Sequence, residues 1–119
     1  MEVLVIGGSG LVGRNLLDAF ESRSHSVVGT YRTTPTAAAS VEVDKTDADA
    51  VESAIREHDP DAVVDTAAYH DVDACETNRD RAFTVNAVGT RNAAAGAAAV
   101  DAQFVYLSSD YVFEGRPSE

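Results

Sequence analysis

The sequence predicts an α/β protein built on a doubly wound parallel sheet, and three observations carry that reading. Short apolar runs of strand character alternate with stretches of helical spacing along the 119 residues. A glycine-rich turn joins the first strand to the first helix. No internal repeat or linker divides the chain, so one domain of about five strands accounts for it.

Each element has its own signal. Glu2–Ile6 is an apolar run stopped by Gly7 and Gly8, the mark of a buried strand. Leu11, Val12, Leu16, Ala19 and Phe20 then recur at helical spacing. Ser26–Tyr31 is a second β-rich run and Val41–Val43 a brief third, with Thr33–Ser40 between them as a loop. Thr46 followed by Asp49 is a capping-box signal for a helix that lays Val51, Ala54, Ile55 and His58 on one face, and Pro60 stops it. Ala62–Thr66 is the fourth strand and Gln103–Leu107 the fifth. Between them Thr77–Val100 reads as an Ala-rich helix in which Gly89, Ala93 and Gly96 recur at close-packing spacing. Right-handed crossovers would put helices on both faces of the sheet.

Composition excludes several classes of function. The chain carries 20 acidic against 9 basic residues, a net charge of −11. It offers no basic stripe for a phosphate backbone, so neither nucleic acid nor an anionic membrane surface is an expected partner. Lys45 is the sole lysine and Asp outnumbers Glu, a surface like those of proteins from very salty cytoplasm, where dissolved ions screen carboxylate repulsion. An ordinary acidic protein is the alternative. The single cysteine, Cys75, allows no intrachain disulfide and fits a reducing, cytoplasmic location. No apolar run approaches the roughly 18 residues of a membrane span, and the start of the chain turns directly into motif, leaving no room for a signal peptide. His25, His58 and His70 lack ligand spacing, so no metal site is expected.

The sharpest motif is Gly7-Gly8-Ser9-Gly10-Leu11-Val12-Gly13, directly after a strand and opening a helix. Phosphate binding needs that context: glycines for a tight turn, for close approach of backbone to pyrophosphate, and for close packing of helix on strand. The helix start adds free N–H groups and a positive dipole. The fold expected is therefore a Rossmann-like doubly wound parallel sheet, truncated after about five strands. At the end of the second strand, where an NAD site usually has an acid about 20 residues past the glycines, stand Tyr31 and Arg32. Arg32 can pair with a 2′-phosphate, which favours NADP, with NAD as the alternative. A solvated loop charge is the other reading of Arg32.

Further motifs carry a resemblance. Pro60-Asp61-Ala62-Val63-Val64-Asp65-Thr66-Ala67-Ala68-Tyr69 and Val72-Asp73-Ala74-Cys75-Glu76 resemble the "PDVVINAAAYTxVDxAE" pattern of the dTDP-4-dehydrorhamnose reductase family. Asn86-Ala87-Val88-Gly89-Thr90 and Ser108-Ser109-Asp110-Tyr111-Val112-Phe113-Glu114-Gly115 are similar to its "NVxGT" and "STDYVFDG" segments. Val43-Asp44-Lys45-Thr46-Asp47 is similar to its "DITD". The resemblance spans essentially the whole chain. It implies an NADP-dependent oxidoreductase that reduces a nucleotide-sugar ketone, dTDP-4-dehydrorhamnose, to dTDP-rhamnose. It further implies that Gly7, Gly10, Leu11, Val12, Gly13, Tyr31 and Arg32 bind the cofactor, that Asp44 contacts its adenine, and that Ala67, Ala68 and Tyr69 line it. Ser109 takes the place of the catalytic hydroxyl, hydrogen-bonding the sugar carbonyl as oxyanion charge develops. His70 and Tyr111 would face the nucleotide-sugar.

Asp65 stands where the family pattern has Asn and Cys75 where it has Ala, both mild changes. The family's proton donor belongs to a Tyr-x-x-x-Lys pair, and none of Tyr31, Tyr69, Tyr106 and Tyr111 has Lys four residues on. The expectation is of an incomplete NAD(P)-binding Rossmann domain over residues 1–119, with the substrate lobe and proton relay absent and no activity by itself. An open sheet edge would favour self-association. Two other functions compete. One is a nucleotide-sugar epimerase or dehydratase sharing this cofactor half. The other is a non-catalytic cofactor-binding protein like the regulatory subunit of methionine adenosyltransferase, which a complete chain of this length would favour.

Overall fold

The computed structural model describes residues 1–32, 35–36, 39–66 and 87–107. In chain order these form β1 (Glu2–Ile6), α1 (Leu11–Ser22), β2 (Ser26–Tyr31), β3 (Ala39–Glu42), α2 (Ala48–His58), β4 (Ala62–Asp65), α3 (Gly89–Ala99) and β5 (Gln103–Tyr106). The five strands make one sheet in the order β3-β2-β1-β4-β5. Every pairing is parallel. The order reverses between β1 and β4, and in such sheets ligands bind outside the carboxyl ends of the strands at that switch point.

The alternation of β1 builds a core on both faces. Val3 and Val5 join Leu17 of α1, Ala39 and Val64 on one side. Leu4 and Ile6 join Val51, Ala54 and Ile55 of α2, Val63, and Ala93 and Ala97 of α3 on the other. A strand buried on both faces reads as a continuous apolar run, which is why residues 2–6 show no polar alternation. The α2–α3 contact is close because Gly96 has no side chain: a Cβ there would lie 2.6 Å from Ile55 Cδ1. The small-residue spacing read from the sequence is thus a helix-packing surface. Of the expected helix over residues 77–100, residues 89–99 form α3 and residues 77–86 lie outside those described.

Three local expectations are corrected. β3 runs from Ala39 to Glu42, earlier than Val41–Val43. Ala39 pairs with Gly29 and is fully buried, its N–H held by Thr36 Oγ1 at 3.0 Å, and a register shift follows at Gly29/Thr30. The cap of α2 is Asp47, whose Oδ1 accepts from the Ala50 N–H at 3.2 Å. Thr46 is engaged instead with Asp44. In α1 the inward face is Gly13, Leu16, Leu17 and Phe20, while Leu11 and Val12 are 71% and 50% exposed. In the first turn Gly13 faces inward and Leu11 and Val12 face outward, so apolar character there does not mean burial. The left-handed Asp59 closes α2 by donating its N–H to Ile55 O at 2.8 Å. Among the described residues no helix is long and apolar enough to cross a membrane.

Candidate functional site

Because all five strands are parallel, their carboxyl ends share one edge. The glycine turn follows β1, Arg32 follows β2, Asp44 and Lys45 follow β3, Thr66 follows β4 and Leu107 follows β5. Of the residues singled out from the sequence, Gly7, Gly10, Leu11, Val12, Gly13, Tyr31, Arg32 and Asp44 therefore lie along that one edge, and the fold is the reason.

The glycine turn is held from two neighbouring strands. Gly7 adopts a left-handed φ of 85°, a conformation that costs other residues about 1–2 kcal/mol. Its N–H reaches Thr30 Oγ1 at 3.2 Å and the Gly8 N–H reaches Thr30 O at 2.8 Å, both on β2. From β4, Thr66 Oγ1 donates toward Ile6 O at 2.8 Å and Gly7 O at 3.2 Å. Gly13 packs against the turn so closely that a Cβ would sit 2.2 Å from Gly7 O. Gly10 differs: a Cβ there would meet only Gly7 O, at 3.5 Å.

Gly10 is also the N-cap of α1. No side chain caps it and the first turn holds no acid. The start of α1 thus presents backbone N–H groups and the positive end of its dipole without an internal anion to quench them. That is the donor set a pyrophosphate requires, and the bare Gly10 position leaves room for one to lie against the backbone. Leu11 and Val12, exposed beside it, are placed to cover an apolar or ribosyl surface.

At the ends of β2 and β3, Arg32 Nε lies 4.0 Å from Asp44 Oδ2, with both side chains about half exposed. Asp44 Oδ1 accepts from Thr46 Oγ1 at 2.7 Å and the Thr46 N–H at 3.0 Å. The Thr46 hydroxyl and then its N–H hold the Asp44 carboxyl below the usual carboxylate range, against a smaller upward push from burial, with Arg32 the weakest contribution. Spacing along the chain showed no acid beside Arg32; the fold brings one from the next strand. The contact is a long, half-exposed ion pair, so Arg32 keeps its donors for another anion.

Thr30, Thr66 and the pair Lys45–Asp65 were not singled out as site residues from the sequence. Lys45 Nζ lies 2.7 Å from Asp65 Oδ2, and the two side chains are 5% and 0% exposed. Buried charges in so acidic a chain read as solvated ones until the fold is known, and no local signal in the sequence marks this pairing. Ala67, Ala68, Tyr69, His70, Ser109 and Tyr111 lie outside the described residues. Among those described, no group of three or more His, Cys, Asp or Glu side chains is arranged to hold a metal ion. A shallow cavity of about 230 Å³ lined by Glu2, Ser26, His58 and Pro60 lies at the opposite edge of the sheet, away from this rim.

Strand order, the glycine turn and the open start of α1 define an α/β domain of the Rossmann type. Residues 1–119 match the family model described as RmlD substrate binding domain, and the chain belongs to that family, with dTDP-4-dehydrorhamnose reductases among its relatives. The dTDP-4-dehydrorhamnose reductase of Mycolicibacterium smegmatis is 40% identical over 111 residues, covering 93% of this chain and 31% of the relative. Methionine adenosyltransferase 2 subunit beta of Rattus norvegicus is 35% identical over 115 residues, covering 95% and 34%. The crystal structure of dTDP-4-dehydrorhamnose reductase from Bacillus anthracis in complex with NADP superimposes with a TM-score of 0.83 at 32% identity, covering 98% of this chain and 39% of that one. The chain spans about a third of the length of the curated relatives it matches.

Proposed function

We propose that this chain is the cofactor-binding part of an NADP-dependent reductase that converts dTDP-4-dehydrorhamnose to dTDP-rhamnose. The observation that carries the reading is the uncapped start of α1 at Gly10, set at the switch point between β1 and β4. The bound cofactor would supply a hydride to the C4 carbonyl of the sugar. In this reading the backbone of Gly7, Gly10, Leu11, Val12 and Gly13 holds the pyrophosphate. Arg32, beside Asp44, pairs with the 2′-phosphate, Tyr31 flanks it, and Asp44 lies along the adenine. Ala67, Ala68 and Tyr69 line the path of the cofactor past β4. Ser109 donates a hydrogen bond to the carbonyl oxygen as negative charge grows there, and His70 and Tyr111 face the nucleotide-sugar. These last roles follow from the resemblance of their segments to the family's. The proton that completes the alcohol comes from a residue beyond this set.

A second reading, a cofactor-binding regulatory subunit without catalysis, is favoured by the 35% identity to methionine adenosyltransferase 2 subunit beta. Calorimetric titration of NADPH and NADH into this chain, followed by turnover of dTDP-4-dehydrorhamnose by the full-length protein that contains it, separates the two. A hydrogen bond to a charged group is worth about 1.5–3 kcal/mol, so Arg32 predicts NADPH binding roughly 10- to 150-fold tighter than NADH. NADPH oxidation coupled to sugar reduction supports the reductase; tight binding with no turnover favours the regulatory subunit. Binding of neither nucleotide overturns both.

A further inference from the structure

Two charged side chains that take no direct part in the rim described above, Lys45 and Asp65, meet in space. Lys45 Nζ and Asp65 Oδ2 are 2.7 Å apart and almost fully buried. The ammonium lies 5.8 Å from the ring centroid of Tyr106 on β5. The lysine stem runs over Gly89, where a Cβ would come within 2.4 Å of Lys45 Cε, so the start of α3 is shaped to admit it. Asn92 Nδ2 donates to Lys45 O at 3.0 Å, fixing the backbone at the same point. Replacing a buried ion pair by well-packed apolar groups is often neutral or stabilising, so stability alone does not account for the pair.

Its neighbours in the chain supply an account. Asp44 immediately precedes Lys45 and sits at the adenosine end of the rim, paired with Arg32. Thr66 immediately follows Asp65 and is bonded to Gly7 at the pyrophosphate end. We propose that the Lys45–Asp65 ion pair is a positioning device that ties the Asp44 turn to the glycine turn, holding the two ends of a dinucleotide site in one register. The proposal rests on the cofactor-binding reading above. Lys45 and Asp65 act through their neighbours and touch no cofactor atom. A rigid link of this kind favours a ligand that spans both ends over one that occupies a single end.

The test compares two ligands on the intact protein: NADPH, which spans the rim, and adenosine 2′-monophosphate, which occupies only the adenosine end. In the double variant Lys45→Met/Asp65→Asn, which removes both charges together, NADPH affinity falls about tenfold, within the usual range of coupling between sites. Affinity for adenosine 2′-monophosphate stays within about twofold. A general loss of structure would weaken both ligands together, and that parallel loss, tracking a lower melting temperature, would refute the proposal. Unchanged binding of both ligands refutes it too. If the double variant does not fold, the isosteric Asp65→Asn, which loosens the tie to Lys45 and leaves Thr66 bonded to the glycine turn, gives the same selective loss, and a parallel loss of both ligands refutes the proposal. Absence of NADPH binding by the unaltered protein overturns the cofactor reading and this proposal together, whereas normal binding by a folded variant overturns the link alone.

Discussion

Two glycines in one turn are expected to fail in different ways when each is changed to alanine. At Gly13 the new Cβ would lie 2.2 Å from Gly7 O and 2.8 Å from Gly8 Cα. Both are backbone atoms of a turn pinned to Thr30 and Thr66, so no rotamer change relieves the overlap. Forcing extra volume into such packing costs about 3 kcal/mol. Alanine recovers about 1 kcal/mol of helix propensity, leaving a net loss of about 2 kcal/mol. For a chain of 119 residues that corresponds to a drop of about 8 °C in melting temperature, at roughly 4 °C per kcal/mol. At Gly10 the backbone is extended, with φ −77° and ψ 174°, and the nearest atom to a Cβ is 3.5 Å away. Alanine is a poorer N-cap than glycine, but it loses less chain entropy on folding. The two effects offset, and the stability of Gly10→Ala stays within about 0.5 kcal/mol of the unaltered protein. Its Cβ nevertheless stands where the pyrophosphate would meet the backbone, so NADPH affinity falls by more than about tenfold. Thermal melts followed by circular dichroism, paired with NADPH titration, read both effects. A Gly13→Ala protein melting with the unaltered one would refute the packing argument. Normal NADPH binding by Gly10→Ala would refute the assignment of the turn to the pyrophosphate.

Three other expectations concern acid, capping and salt. The Asp44 carboxyl is held low in the folded state, so it contributes stability above its unfolded pKa that is lost as pH falls through the lower folded value. Thr46→Val removes the largest cause; the Asp44 carboxyl resonance in NMR should then titrate at higher pH, and the variant's stability deficit should shrink toward acid. Asp47→Ala deletes the side-chain cap of α2 and should cost about 1 kcal/mol in urea unfolding, whereas an unchanged midpoint would mean that the cap bond contributes nothing. With a net charge of −11, the melting temperature should rise from dilute to multi-molar KCl as carboxylate repulsion is screened; equal melts would remove the argument for a salt-adapted surface.

What was legible in the sequence was local. The run at residues 2–6, the helical spacing of Val51, Ala54 and Ile55, and the glycine turn all declare themselves within a few positions, and the strand-helix alternation followed from them. The boundaries that moved were decided by contacts between distant segments. Ala39 and Ser40 have little strand character of their own and become strand by pairing with β2. Thr46 and Asp47 are equally good caps in sequence, and Asp44 decides between them by occupying the Thr46 hydroxyl. The same holds for the site. Glycine spacing marked the turn after β1, but Thr66 reaches it from 59 residues away and Asp44 reaches Arg32 from beyond the next strand. Thr66 and Gly7 share no local window, and the spacing of Arg32 and Asp44 matches no motif that would pair them.

The bonds from Thr66 to Ile6 and Gly7 also bear on the order of assembly. β1 meets β2 across a short stretch, Glu2 opposite Ser26, and β4 across a longer one, Val3 opposite Ala62. The extra closure entropy is only about 0.8 kcal/mol, because that cost grows with the logarithm of loop length. The larger difference is temporal. As the chain leaves the ribosome, β1, α1 and β2 emerge together and can pair while the glycine turn still lacks its second anchor. The turn receives that anchor only when residue 66 follows. The turn, which precedes α1 and β2 in the chain, is therefore completed only after both, and a nascent chain stalled before residue 66 would carry the whole glycine motif on a half-latched turn.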